Sequence, residues 1–325
     1  MLKVAFVGTF AARLEAAVRA RLDVPCAIAV TDEAGVGPEM DGVDVLVTLA
    51  FTRDMGAAAR RLRLVQVPGA GLDRIDRAAL PAGAALANAY GHETGIAEYV
   101  IGAMLALTRD LAQLDAALRR GVWRSQWAIG PPPPPWPELA GRTVGILGYG
   151  RIGQAVARRA RAFEMQVCGV RREVGRSAAD PLALLGGLEI LDEVLRRADY
   201  LVVALPATPE TRGLLGAREL ALMKPAAVLV NVSRAEVIDE GALYRALAGR
   251  AIGGAALDVW YRYPTAPGPT PPAREPFHEL PNVLMTPHVA GWTDGMLEAR
   301  AALIAANIGR VARGEPPANL VPTPG

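Results

Sequence analysis

An α/β fold of two domains is predicted, on three observations. Short apolar runs alternate with amphipathic stretches almost from end to end, the βαβ signature of parallel sheets covered by helices on both faces. The 325 residues are about twice the ~150 of an average domain, enough to bury large cores. The alternation stops once, in a proline-rich stretch ahead of Thr143, and then starts again.

In the first part, strands are expected at Leu2–Val7, Val24–Val30, Val43–Thr48, Leu64–Val67 and Ala84–Ala87, with helical spacing at Ala11–Leu22 and Met55–Leu62. From Gly95 a long helical pattern runs through Glu98, Val100, Ile101, Met104, Leu105 and Leu107 to Leu118. No helix survives Gly121–Pro137, where Pro131 to Pro135 are consecutive and a polyproline rod is expected. The second series has strand candidates Thr143–Leu147, Gln166–Val170, Tyr200–Ala204, Ala227–Val232, Gly254–Val259 and Val283–Thr286. Six strands suit one dinucleotide-binding domain. Asp294–Arg313 reads as one amphipathic helix, too short to be a domain, that returns to the N-terminal unit. The second domain (97–294) is therefore expected as an insertion into a discontinuous first one (1–96 plus 295–325).

Composition excludes several function classes. Thirty-five Lys and Arg against 33 Asp and Glu give a net charge of +2, without the basic excess of a nucleic-acid binder. The hydrophobic share of 51% suits a globular chain, and no stretch approaches the ~18 uncharged apolar residues of a membrane span. Neither a signal peptide nor a membrane partner is expected, and the cytoplasm is the expected compartment. Cys26 and Cys168 lie far apart without a CxxC or a His-spaced partner, so they read as buried core thiols, and no metal site is expected. Histidine is scarce too: His92, His278 and His288.

The sharpest local signal is Gly148-Tyr149-Gly150-Arg151-Ile152-Gly153, directly after one strand candidate and opening the helical Gln154–Ala162. In that context the first glycine permits a tight turn, the second lets backbone approach a pyrophosphate, and the third lets helix and strand pack closely. The helix N-terminus adds N–H groups and a positive dipole end. Tyr149, Gly150, Arg151 and Ile152 are the cofactor-binding candidates of the loop. At the end of the next strand, where an NAD site usually places a carboxylate for the ribose hydroxyls, stands Arg171. A guanidinium there suits a 2′-phosphate, so NADP(H) is expected over NAD(H); the alternative is that Glu173 holds the ribose and NAD(H) serves.

Taken in order, Gln66–Asp76, Ala97-Glu98-Tyr99, the glycine loop, Leu205–Thr211, Met223-Lys224-Pro225, Asn231-Val232-Ser233-Arg234, Ala256–Val259 and Thr286-Pro287-His288 resemble the D-isomer-specific 2-hydroxyacid dehydrogenases over essentially the whole chain. The resemblance is to members that reduce glyoxylate or hydroxypyruvate. It implies two Rossmann-like or flavodoxin-like domains, the dinucleotide-binding one inserted into the substrate one. It also implies that Arg234 orients a small anionic 2-oxoacid, that His288 is its acid/base, and that the backbone of Ala70 and Gly71 holds its carboxylate. Pro206, Thr211, Val232, Ser233 and Asp258 match positions that line the cofactor; Thr211 has the competing reading of a helix cap. The segment holding Trp123 and Trp127 corresponds to the family's dimer arm, so a homodimer is implied, and His92 lies where it could contact substrate.

One departure matters most. The family usually has Glu, then Pro, five residues after the Asp of its Leu-Asp-Val motif; here Tyr263 and Pro264 follow Asp258 at that spacing. Tyrosine brings no charge at neutral pH, so His288 is expected to titrate lower than beside a carboxylate. A second alignment makes Glu275-Pro276 the missing pair, across an insertion with six prolines between Pro264 and Pro276. Formate dehydrogenases, which are relatives, carry a neutral residue at this point and transfer no proton, which keeps that chemistry open. A dinucleotide-sensing, non-catalytic corepressor-like protein is the alternative of another class.

Overall fold

The computed structural model describes residues 1–33, 35–172 and 182–322, so Glu173 lies outside the described residues. In chain order the elements are β1 (Leu2–Val7), α1 (Thr9–Arg19), β2 (Cys26–Thr31), β3 (Val45–Thr48), α2 (Arg53–Ala58), β4 (Leu64–Gln66) and β5 (Ala85–Ala87). There follow α3 (Glu93–Thr108), α4 (Leu111–Leu118), β6 (Thr143–Leu147), α5 (Arg151–Ala162), β7 (Gln166–Val170), β8 (Leu184–Gly186), α6 (Leu191–Arg197) and β9 (Tyr200–Val203). The chain ends with α7 (Ala217–Ala221), β10 (Val228–Asn231), α8 (Glu240–Ala248), β11 (Gly254–Leu257), β12 (Val283–Met285) and α9 (Asp294–Arg313). It divides into two compact units, Met1–His92 with Trp292–Gly325, and Glu93–Gly291.

The first unit is a five-stranded sheet in the order β2-β1-β3-β4-β5, all pairs parallel. Strands buried on both faces read as continuous apolar runs, and β3 and β4 are buried throughout. Helix α9 packs on α1, with Ala301, Ile304 and Ile308 against Leu14 and Val18. Thr293 caps its N-terminus by accepting from Met296 N–H, and Gly314, at φ 74°, ends it. Beyond the helix the chain returns to β5, where Leu320 bridges Ala87 in antiparallel sense.

The second unit is a seven-stranded sheet, β12-β11-β10-β9-β6-β7-β8, again parallel throughout. From β6 the chain runs outward to β8, then returns to β9 and runs the other way. The strand order therefore reverses between β6 and β9, and the crevice at their carboxyl ends is where ligands of such sheets bind. Helices α3 and α5 cover one face through Ala97, Val100 and Met104 against Ala155, Val156 and Ala160, while α6, α7 and α8 cover the other.

Several expectations need correction. Among the described residues the unit has seven strands rather than six, because β8 is a three-residue edge strand paired with β7. The long helix is two, broken where Asp110 takes a left-handed conformation at φ 51°, which aspartate tolerates better than most residues. Cys168 is buried, but Cys26 is only half-buried, since β2 is an edge strand. The expectation that no helix survives Gly121–Pro137 holds: the chain there, the proline run 131–135 included, forms neither helix nor strand.

Candidate active site

The glycine loop follows β6 and turns directly into α5. Gly148 sits at φ 99°, and a Cβ there would lie 2.6 Å from backbone atoms of Ala204 and Leu205, so only glycine fits between β6 and the end of β9. At Gly153 a Cβ would come within 2.4 Å of the Gly148 carbonyl oxygen, which fixes how closely α5 packs on the strand. At Gly150, the residue before the helix, a Cβ would meet nothing within 4 Å. Two glycines are thus required by the protein's own packing, and the exposed one leaves room at a helix N-terminus, which fits the pyrophosphate of a dinucleotide. Tyr149 is buried against Gly169 and its N–H donates to Val170 O at 2.8 Å; Arg151 is exposed at the first helical position and Ile152 is half-buried.

Around this loop stand the other cofactor candidates. Arg171 and Arg172 follow β7, the Arg171 N–H donating to Gly186 O at 2.9 Å. Thr211 donates its hydroxyl to Pro206 O at 2.6 Å and accepts from Thr208 N–H at 2.8 Å, so it closes its own turn; α7 begins only at Ala217. Pro206 is exposed beside it. Val232 and Ser233 are buried at the end of β10.

The remaining chemistry gathers at the carboxyl ends of β10, β11 and β12. Asn231 accepts from Ser233 N–H at 3.1 Å and donates to Arg234 O at 3.1 Å, folding the turn that carries Arg234 out of the strand. After β11, the buried Asp258 carboxylate accepts from Thr286 Oγ1 at 2.6 Å and from the N–H groups of Val289 and Ala290, both at 2.9 Å. Thr286 in turn takes a 2.6 Å hydrogen bond from Tyr99 Oη, and its carbonyl accepts from Trp260 Nε1 at 2.8 Å. These bonds hold the segment after β12, in which His288 sits at φ 56°, a conformation a non-glycine residue adopts only when its surroundings impose it.

Tyr263 Oη lies 2.7 Å from His288 Nδ1 and accepts from Trp260 N–H at 3.4 Å. Beside the Trp260 N–H, the phenolic oxygen can accept from Nδ1–H, or its hydrogen can be donated to Nδ1, so the hydroxyl can partner the ring in either protonation state. His288 is accessible to solvent, yet desolvation by the groups packed around it lowers its pKa from 6.5; Asp258 opposes that shift and Arg234 adds to it. Burial raises the pKa of Tyr263, and pushes that of Tyr99 up to about 12, so both hydroxyls stay protonated.

Glu275, the competing candidate, has its backbone N–H on the Glu240 carboxylate at 3.0 Å, while Tyr263 occupies the position at Nδ1. In the first unit, Ala70 is half-buried and Gly71 exposed in the loop after β4. His92 Nδ1 lies 3.2 Å from an Arg300 guanidinium nitrogen, and His278 is exposed. Sequence reasoning assigned no role to Asn231, Thr286 or Tyr99; all three stand inside the motifs quoted above, and only the fold reveals whom they bond.

A doubly wound parallel sheet with this glycine loop and this edge of polar groups defines a nucleotide-dependent oxidoreductase of Rossmann type. Residues 101–290 match the profile of the D-isomer specific 2-hydroxyacid dehydrogenase NAD-binding domain. The chain is 37% identical over 289 residues to D-3-phosphoglycerate dehydrogenase of Methanocaldococcus jannaschii, covering 86% of this chain but 52%, about half, of that relative's length. It is 37% identical over 291 residues to glyoxylate reductase of Thermococcus gammatolerans, covering 86% of this chain and 83% of the relative. Its structure matches an NADPH-dependent glyoxylate/hydroxypyruvate reductase from Sinorhizobium meliloti, solved with NADP and sulfate, at TM-score 0.78, 28% identity and coverage of 99% and 98%. The chain belongs to the D-isomer specific 2-hydroxyacid dehydrogenase family.

Proposed function

We propose that the protein reduces a small 2-oxoacid of the glyoxylate/hydroxypyruvate class to the D-2-hydroxyacid, with NADP(H) preferred over NAD(H). The observation that carries this reading is the grouping at the strand ends: Tyr263 within hydrogen-bond distance of His288, and Arg234 near enough to act electrostatically on both. A bound nicotinamide dinucleotide supplies the hydride. Arg234 fixes the substrate and polarises its carbonyl, His288 delivers a proton from Nε2 to the developing alkoxide, and Tyr263 holds the ring by Nδ1. Ala70 and Gly71 contribute backbone N–H groups to the carboxylate, and Asp258 keeps the His288 segment in place.

The NADP(H) preference is supported by Arg171 and Arg172 after β7, where a 2′-phosphate would find guanidinium groups, and by the NADP held by the Sinorhizobium enzyme. The uncharged Tyr263 beside His288 favours one second reading, a formate-dehydrogenase-like reaction that needs no proton transfer. A homodimer is supported by the exposed apolar side chains Leu111, Leu118, Val122, Trp123, Trp127 and Ile129 on one segment of the second unit. No helix among the described residues is long and apolar enough to cross a membrane, and two free thiols suit a reducing cytoplasm.

Turnover of NADPH and NADH with glyoxylate, hydroxypyruvate and further 2-oxoacids, and of NADP⁺ with formate, tests the reading. Fastest turnover with NADPH and a 2-oxoacid is the expected result. Formate oxidation alone would favour the second reading, and dinucleotide binding without any turnover would make the protein a sensor.

A further inference from the structure

We infer that Asn88 is a positioning residue that aims the N–H groups of Ala70 and Gly71 at the substrate carboxylate. The inference rests on the proposal that this loop takes the carboxylate, and it adds the device that makes the loop able to do so.

A trans peptide points its N–H opposite to its C=O, and the described chain contains no cis peptide. In the loop after β4, the Gly69 carbonyl accepts from Ala89 N–H at 3.0 Å, and the Ala70 carbonyl accepts from Asn88 Nδ2 at 3.1 Å. Both carbonyls are thereby drawn toward the residues after β5. The N–H groups of the same two peptides, those of Ala70 and Gly71, must then point the other way, side by side. Two successive N–H groups so directed make an anion-binding concavity. Ala89 secures the first peptide with backbone alone, which any sequence could supply; the second depends on the Asn88 side chain.

Asn88 is itself held. It is 6% exposed, and its N–H donates to Asn319 O at 3.2 Å. The segment around Asn319 is bound on both sides of that contact: Val321 N–H donates to Leu86 O at 2.8 Å, and Ala318 exchanges two hydrogen bonds with the buried Asn307 amide, at 2.7 and 3.1 Å. Asn307 also donates to Gln66 Oε1 at 2.7 Å, and Gln66 donates to Val67 O at 3.1 Å, directly ahead of the loop. Buried amides thus fix both the entry to the loop and the residue that orients it, so Asn88 has little freedom to leave Ala70.

The test compares wild type, N88A and N88D in NADPH-dependent reduction of glyoxylate and of its methyl ester, with NADPH binding measured by fluorescence. Wild type is expected to prefer the free acid. N88A is expected to raise KM for glyoxylate about tenfold, the size of one lost hydrogen bond, with KM for the ester and NADPH affinity unchanged. In N88D the glyoxylate KM is expected to fall back relative to N88A at acid pH, where a protonated side chain can donate to Ala70 O; the ratio of the two variants cancels the titration of His288. Equal losses on acid and ester, or a glyoxylate KM in N88A equal to wild type, would overturn the role of Asn88 alone. A wild type that does not distinguish acid from ester would overturn the carboxylate reading of the loop, and the inference with it.

Discussion

The hydroxyl of Tyr263 lies 2.7 Å from Nδ1 of His288 and gives the imidazole a hydrogen-bond partner without a charge. A carboxylate at that point would favour the imidazolium; a hydroxyl can bond either protonation state and favours neither strongly. The pKa of His288 is therefore set by burial and by Arg234, both lowering it, against Asp258.

In the proposed reaction, reduction requires protonated His288. Its rate should be highest on the acid side and fall as pH rises through a value below 6.5, whereas the reverse reaction, which needs the neutral base, should persist down to that value. In Y263E the fall-off is expected to move to higher pH by about one unit or more, because the new carboxylate stabilises the charged ring. Y263F should lower the rate without that alkaline shift. Identical pH profiles for wild type and Y263E would contradict the pairing.

Asp258 accepts three hydrogen bonds from the segment that carries His288 while 1% exposed. D258A leaves those donors unmatched and should cost about 3 kcal/mol in denaturant unfolding. T286V, which removes only the hydroxyl linking Tyr99 to Asp258, should cost about 1 kcal/mol. Equal stability of D258A and wild type would mean that the segment is held by other contacts.

The three glycines of the loop should separate in their effects. G148A and G153A place a Cβ within 2.6 and 2.4 Å of backbone atoms and should destabilise the protein before any ligand is added. G150A meets nothing within 4 Å and should leave the free protein's stability unchanged while weakening NADPH binding about tenfold or more. Melting curves and fluorescence titration distinguish the three.

Arg171 follows β7 where an acidic residue would suit ribose hydroxyls. R171D should raise KM for NADPH by about tenfold or more and bring NADH to parity or preference, since a carboxylate repels a 2′-phosphate and accepts from hydroxyls. An unchanged preference would shift the ribose contact elsewhere in the loop after β7.

Much of this was legible in the sequence, and the misses have physical causes. Strands β1, β6 and β7 and helix α9 lie at their expected bounds, because short apolar runs, ended by glycine after β1 and β6, and an amphipathic stretch capped by Thr293 and Gly314, are strong local signals. Strand β8 escaped because three residues carry no periodicity, and the break at Asp110 because an aspartate in left-handed conformation leaves no mark that glycine or proline would. The candidate site residues were named from the glycine loop and from the family resemblance. Their partners were not, since the bonds of Asn88 to Ala70, Asn307 to Gln66 and Thr286 to Asp258 join residues 18, 241 and 28 positions apart.

The most direct test of the reaction is the rate of NADPH oxidation by glyoxylate in wild type and H288N, asparagine being chosen because it tolerates the positive φ of His288. The expected result is measurable turnover in wild type and a loss of about 10²-fold or more in H288N, with NADPH affinity unchanged. Undiminished turnover in H288N, or NADPH binding by wild type with no oxidation by any 2-oxoacid, would contradict it.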